Sequence, residues 1–260
     1  MNFINNFCYF YDKYKLIFME KIKTIFISDT HTKHKRLTLD SGDLLIFSGD
    51  CMSSGFSEME LLDFISWLNT LTQNYKYIVV LSGNHDRYMQ AFPKEVIENL
   101  FYQNNGYEKG IRYIQDELIE LDFENKGKLK IYGTPYQPYF YNWAWNISDS
   151  DKLYNIYNNI PENIDLLVTH CPSYGILDKS HVKSLRNPTG EEPLGSKELQ
   201  LRLSEMTNPP KYHCFGHIHG DGGKFQKIDK TTYINASVCD EMYNPINKII
   251  TLDIETKDED

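Results

Sequence analysis

"YIVVLSGNHD", from Tyr77 to Asp86, is an apolar run that stops in a cluster of polar residues. Its first half is rich in Val, Ile and Leu with no polar alternation, which is the pattern of a strand buried on both faces. Its second half, Gly83-Asn84-His85-Asp86, sets an amide, an imidazole and a carboxylate side by side. The same form recurs along the chain, in "KTIFISDTH" (Lys23 to His31), "DLLIFSGD" (Asp43 to Asp50), "IDLLVTHCP" (Ile164 to Pro172) and "KYHCFGHIHG" (Lys211 to Gly220).

Helical patterns lie between several of these runs. "SEMELLDFISWLNTL" (Ser57 to Leu71) places either Met59, Leu62, Ile65 and Leu68 or Leu61, Phe64, Trp67 and Leu71 on one stripe, with Ser57 as its cap. "PKEVIENLF" (Pro93 to Phe101) reads as a second helix with Pro93 near its first turn. After Arg112 the chain turns toward β, in "RYIQDELIEL", "KLKIYGTP", "TTYINASVC" and "NKIITLDI". The class is α/β, with a mixed sheet or two sheets packed together. Ligands of open α/β sheets sit at the carboxyl ends of the strands, so the polar clusters are expected to converge on one site.

The 260 residues suit one domain, expected over 22–255, with an N-terminal extension over 1–21 and an acidic tail over 256–260. The formal net charge of −9 argues against a long nucleic-acid strand as ligand, since counterion-release binding needs a basic stripe. A small phosphate ligand fits if metal ions supply positive charge locally. No apolar run reaches the ~18–20 residues of a membrane span. The aromatic start is broken by Asp12, Lys13 and Lys15 and does not read as a signal peptide, and Met19 offers an alternative start. The cysteines Cys8, Cys51, Cys171, Cys214 and Cys239 contain no C-x-x-C pair, so they are read as reduced and mostly buried in a cytoplasmic protein.

Collected in order, the strand ends are Asp29-x-His31, Gly49-Asp50, Gly83-Asn84-His85-Asp86, His170 and Gly216-His217-Ile218-His219. Asp carboxylate, His nitrogen and Asn carbonyl oxygen are donors that borderline divalent cations accept. The donors exceed what one ion needs and suit two, which about 3.5–4 Å apart can clamp the attacking and leaving oxygens at phosphorus. Glycines at 49, 83 and 216 let the backbone turn sharply. On a strand, His217 and His219 would face one way, whereas a sharp turn would splay them. His34, His181 and His213 read as satisfied polar residues rather than ligands.

This ordered set resembles the calcineurin-like metallophosphoesterase superfamily, D-x-H, G-D, G-N-H-[DE], H, G-H-x-H, over about Ile22 to Ile254. "IYGTPYQPYFYNWAWN", "LVTHCPSYGILD" and "TTYINASVC" are further similar to the metallophosphoesterase-domain-containing subfamily related to class III cyclic nucleotide phosphodiesterases. The resemblance implies a four-layer α/β/β/α sandwich with two packed mixed β-sheets. It implies a metal-dependent phosphodiesterase that hydrolyses small diesters, cyclic nucleotides among them, by in-line attack of a metal-bridging hydroxide. A phosphomonoesterase or a nucleotide-binding regulatory module on the same fold are the alternatives. Carried over, Asp29, His31, Asp50 and His219 hold a first ion, Asp50 bridges, and Asn84, His170 and His217 complete a second. Manganese is the expected metal, with Fe, Zn or Mg as substitutes. His85 binds the phosphoryl group and protonates the leaving oxygen, and Asp86 orients it by a hydrogen bond. Some vertebrate members carry Gly in place of the first His of the last block, where this chain keeps His217.

Two segments beyond the motifs bear on substrate. The aromatic run Tyr132 to Trp145 reads either as a loop packed on the core or as a pocket wall, with Tyr136, Trp143 and Trp145 as candidates for stacking. Ser180 to Leu199 reads as a surface loop that leads into a helix and borders the site, and Asn235 is open between pocket and turn.

Overall fold

A computed structural model describes residues 21–184 and 187–256. Residues 1–20 of the extension expected over 1–21, with Cys8, and residues 257–260 of the tail expected over 256–260 lie outside the described residues. The strands are β1 (Ile22–Ile27), β2 (Leu44–Ser48), β3 (Tyr77–Leu81), β4 (Ile111–Tyr113), β5 (Glu117–Asp122), β6 (Lys128–Thr134), β7 (Gln137–Pro138), β8 (Asn146–Ile147), β9 (Leu166–Thr169), β10 (Tyr212–Phe215), β11 (Lys224–Ile228), β12 (Thr231–Asn235) and β13 (Ile250–Ile254). The helices are α1 (Glu58–Leu71), α2 (Arg87–Ala91), α3 (Lys94–Tyr102), α4 (Ser150–Tyr157) and α5 (Lys197–Glu205).

The strands form a 5-stranded sheet, β13-β1-β2-β3-β4, and a 6-stranded sheet, β11-β12-β10-β9-β6-β5, beside a small β7-β8 pair. Both large sheets are mixed. β1, β2, β3 and β4 run parallel while β13 is antiparallel to β1. In the other sheet β6, β9, β10 and β12 run parallel, with antiparallel strands at both edges.

The unbroken apolar runs explain the layers, because side chains alternate between the two faces of each strand. Ile25, Ile27, Leu45, Phe47, Ile78 and Val80 pack on one side against Leu61, Phe64 and Leu68 of α1 and Ile97 and Phe101 of α3. Phe26, Leu44, Ile46, Val79 and Leu81 face the other way, onto Leu129, Ile131, Leu166, Val168, Cys214 and Ile234 of the second sheet. That sheet's outer residues, Tyr132, Leu167, Phe215 and Tyr233, are covered by Leu153 and Tyr157 of α4 and Leu199 and Leu203 of α5. The result is the four-layer α/β/β/α sandwich.

The α1 stripe combines the two sequence alternatives. Leu61, Phe64, Ile65, Trp67 and Leu68 are buried, while Met59 is 72% exposed. Ser57 stands at the cap position, but its side chain makes no capping bond.

Candidate metal centre

The parallel strands β1, β2 and β3 and, in the second sheet, β9 and β10 each deliver polar residues just beyond their carboxyl ends. An isolated parallel bridge between Ser28 and Ser237 ties the two sheets at this edge. The backbone there is forced. Asp29, His31, Asp50 and His217 all take positive φ, at 55°, 42°, 61° and 67°. Such residues cost free energy that the surrounding structure must offset, and they gather at functional sites. Gly49 has φ +109° and lies where a Cβ would fall 2.4 Å from His170 Nδ1. Gly216 is required for space rather than φ, since a Cβ there would meet Asp29 Oδ2 at 2.1 Å.

Hydrogen bonds set which imidazole nitrogen faces the centre. A carbonyl only accepts, so His31 Nδ1 donates to Met52 O (3.2 Å), His170 Nδ1 to Ser48 O (2.9 Å) and His219 Nδ1 to Asp240 O (2.8 Å). In each neutral ring the Nε2 lone pair is therefore directed inward. His31 Nε2 and His219 Nε2 meet at 3.2 Å, with Asp29 Oδ1 3.3 Å from the latter. On the other side, Asn84 Oδ1 lies 2.9 Å from His170 Nε2 and 2.6 Å from His217 Nδ1. Asp50 Oδ2 stands between, 3.3 Å from His170 Nε2 and 3.9 Å from His31 Nε2. Three overlapping groups, Asp29/His31/His219, His31/Asp50/His85 and Asp29/Asp50/His170, bring their donor atoms within 4.8 Å of one another. Facing lone pairs and buried carboxylates need a cation between them, and nitrogen with carboxylate and amide oxygen is a borderline divalent ion's donor set, so the residues fit one.

The local field agrees. Burial works against charge on Asp29 and Asp50, yet the surrounding imidazoles outweigh it and hold both carboxyls well below the usual range. Burial keeps His217 neutral, down to about 3, and His31 likewise, down to about 4. Burial also opposes charge on His170, but the Asp50 carboxylate prevails and lifts it to about 9, so without a cation a proton on Nε2 takes the cation's place, and a bound ion would displace that proton.

Of the sequence-predicted site residues, Asp29, His31, Asp50, Asn84, His170, His217 and His219 are brought together here, with His85 beside them. His217 and His219 are splayed: the first turns toward Asn84, the second toward Asp29 and His31. Asp86 departs from its expected role. Its carboxylate accepts from the backbone N–H groups of Asp50 (2.9 Å), Met52 (2.9 Å) and Gly83 (2.7 Å) and from Cys51 Sγ (3.4 Å). Among the described residues it makes no hydrogen bond to the His85 ring, whose Nδ1 donates instead to Ser53 O. Asp86 joins the loops after β2 and β3, because its short buried side chain spends both oxygens on main-chain donors.

Sequence reasoning missed Ser237, whose hydroxyl donates to Asp29 Oδ2 (2.7 Å), and Tyr243, whose ring lies 4.7 Å from that of His31 and 5.3 Å from that of His219. Ser237 lies within the quoted block "TTYINASVC" without standing out there, and Tyr243 lies in no quoted motif. Asn235 is a brace: its amide donates to Leu177 O (2.9 Å) and Ile218 O (2.8 Å), pinning the turn that carries His217 and His219. Cys51, Cys171, Cys214 and Cys239 are free and buried, and burial pushes Cys214 and Cys239 up to about 12. They pack as small hydrophobes.

A cleft of about 800 Å³ opens over Asp50, Asn84, His85, His217 and His219. Its walls include Tyr139, Phe140 and Tyr141 from the aromatic run and Tyr174, Pro193 and Leu194 from the loop that leads into α5. Of the earlier candidates, Trp145 is only 3% exposed and packs edge-on with Tyr136 (5.6 Å), so both belong to the core side of that run. Trp143 stacks on His85 instead.

His34, His181 and His213 stand apart from the centre. His213, wholly buried, donates from Nε2 to Thr169 Oγ1 (2.9 Å), and Nδ1 has no partner among the described residues. Burial alone pushes it down to about 3, against about 6.5 when unfolded. A depressed histidine contributes its stability above the unfolded value and loses it as pH falls from 6.5 toward 3. Between pH ~7.5 and ~5 the loss from this residue is about 2 kcal/mol. Urea unfolding of wild type beside His213→Phe at those two pH values should show the variant losing less by that amount. Equal losses would remove His213 from the account.

Fold and site together define a metallophosphoesterase. The calcineurin-like phosphoesterase family model matches residues 22–221, and the chain belongs to that family. Its activity class is accordingly metal-dependent phosphoester hydrolysis. The chain is 34% identical over 245 residues to metallophosphoesterase domain-containing protein 1 of Homo sapiens, spanning 88% of this chain and 70% of that one. The Mus musculus protein of the same name matches to the same extent, at 34% over 245 residues, 88% of this chain and 70% of that protein. A UPF0046 protein of Caenorhabditis elegans is 31% identical over 257 residues, covering 90% of this chain and 60% of its own length.

Proposed function

We propose that the chain is a binuclear metal-dependent phosphodiesterase acting on small phosphate diesters, cyclic nucleotides among them. The observation that carries this reading is the division of the donors into two sets on either side of Asp50 Oδ2, with His31 Nε2 at 3.9 Å and His170 Nε2 at 3.3 Å. Asp29, His31, Asp50 and His219 would hold one ion, and Asp50, Asn84, His170 and His217 the other. Manganese is the first ion to supply, and the donor set also accepts iron, zinc or magnesium. Bound divalent ions lower the pKa of a water and offset charge at phosphorus.

The chain's own residues do the rest. His85 lines the cleft beside Asp50, and with Nδ1 held by Ser53 O its other nitrogen is free to bind the phosphoryl group and pass a proton to the leaving oxygen. Asp86 keeps the two loops that carry Asp50 and Asn84 in register. Glu192, Glu198 and Glu241 line the cleft with Lys197, so a singly charged diester enters at less electrostatic cost than a doubly charged monoester. The cleft, of about 800 Å³, leaves room for the second ester group of a diester. A small substrate also agrees with the formal charge of −9. Buried, unpaired thiols suit a reducing compartment, and the cytoplasm is the proposed location. Among the described residues, no helix is long and apolar enough to cross a membrane.

The test is metal-stripped protein given Mn²⁺ and assayed on a chromogenic aryl diester and its matching monoester. The diester is expected to show kcat/KM higher by about tenfold or more, a difference of about 1.4 kcal/mol in activation free energy. A preference for the monoester would make the protein a phosphomonoesterase. Folded protein inert with Mn, Fe, Zn and Mg alike would leave a nucleotide-binding module.

A further inference from the structure

The aromatic run holds one residue that neither the core nor the cleft wall explains. Trp143 lies flat on the His85 imidazole, with ring centroids 4.0 Å apart and planes inclined by 25°. The Arg87 guanidinium sits 4.3 Å from the same indole ring, and Phe56 lies 4.7 Å from that guanidinium. Four planar groups from three separate segments of the chain therefore form a continuous stack that ends on His85. The segment is also tied to the centre through its backbone, since Ala144 N donates to Asn84 O (3.0 Å).

We propose that Trp143, clamped by Arg87, is a positioning residue for the reaction: it fixes the plane of the His85 imidazole so that the inward nitrogen meets the leaving oxygen. This rests on the proton-donor reading of His85. An imidazole on a half-buried loop turns freely about χ2, and one hydrogen bond, Nδ1 to Ser53 O, restrains it as a hinge would. The edge contacts to His31 (4.6 Å) and Tyr243 (6.2 Å) limit how far the ring slides, but they approach it at 76° and 62° and set no plane. The stacked indole does. Its cost is lowered by the guanidinium, because a cation on an indole face is itself favourable and pins the tryptophan. The contribution belongs to orientation, where small misplacements of a reacting group lose large factors in rate.

The experiment compares methyl 4-nitrophenyl phosphate with methyl phenyl phosphate, which differ only in the leaving group. Nitrophenolate is weakly basic and gains little from protonation as it departs, whereas the more basic phenolate gains more, so the second substrate reports more strongly on the donor. With Mn²⁺-loaded full-length protein, His85→Ala should lose at least about tenfold more kcat on the phenyl ester than on the nitrophenyl ester. Trp143→Ala should show the same bias, about tenfold, with KM nearly unchanged, and Trp143→Phe should recover most of it. Arg87→Met should show a smaller bias of the same sign, and serves if Trp143→Ala does not fold. If His85→Ala shows the bias while Trp143→Ala and Arg87→Met lower both substrates equally, or raise KM alone, the stack is structural or binds substrate and the inference fails by itself. If His85→Ala shows no bias, the donor reading fails and takes this inference with it.

Discussion

His217→Ala is expected to abolish metal-restored diester turnover, by about a thousandfold or more, while the thermal midpoint of the metal-free protein hardly moves. Losing an outer partner of a metal ligand costs 10–100-fold, and His217 stands where a ligand itself would. Its ring nitrogen Nδ1 lies 2.6 Å from Asn84 Oδ1, and its backbone N–H donates to both Asp29 oxygens, at 3.1 and 3.0 Å. The alanine keeps those main-chain bonds and the φ of 67°, so what is removed is the donor alone. Elemental analysis of the reconstituted variant should then show about one ion fewer per chain than wild type, as one of two ligand sets is broken. Full turnover in the variant would end the case for His217 as a ligand. Lost turnover with full metal content would move it to the substrate.

Asp86→Ala is expected to act on stability first. The carboxyl is wholly buried and takes three backbone N–H groups, from Asp50, Met52 and Gly83. Each donor left unpaired in the interior costs about 1–3 kcal/mol, so the variant should lose roughly 3–5 kcal/mol in urea unfolding and its turnover with it. Asp86→Asn should recover only part, because its amide nitrogen must face N–H donors on one side. His85→Ala makes the contrast: the half-buried ring is expected to take activity with it and leave the unfolding midpoint in place. Were Asp86→Ala as stable as wild type, the loop-joining role would be wrong and an acid–base role for Asp86 would return. The case for the join is the geometry, though burial and the neighbouring Asp50 charge also push the Asp86 carboxyl up to about 6.

The strands and the identities of the candidate donors were legible in the chain. Runs such as "YIVVL" and "DLLIF" leave no polar face, so they are covered on both sides, and the Asp, Asn and His that follow several of them together match the donor set of a divalent cation, though each alone could be a cap or a turn. Gly49, Gly83 and Gly216 marked the turns, although at Gly216 the need is room beside Asp29 Oδ2. The α1 stripe was half legible, since two apolar stripes on one helix are separated only by what the sheet presents to them.

Other features exist only once the two sheets are stacked. Ser237 bonds Asp29 across 208 residues of chain, Asp240 supplies the carbonyl that turns His219 inward, and Tyr243 reaches the rings of His31 and His219. Trp143 meets His85 because Ala144 is hydrogen-bonded to Asn84. Periodicity and motif spacing encode contacts within one strand or one helix. Partners far apart in the chain are chosen by which strand ends the packed layers bring to one edge. The tautomer and plane of each imidazole are chosen there by the carbonyls and rings that surround it.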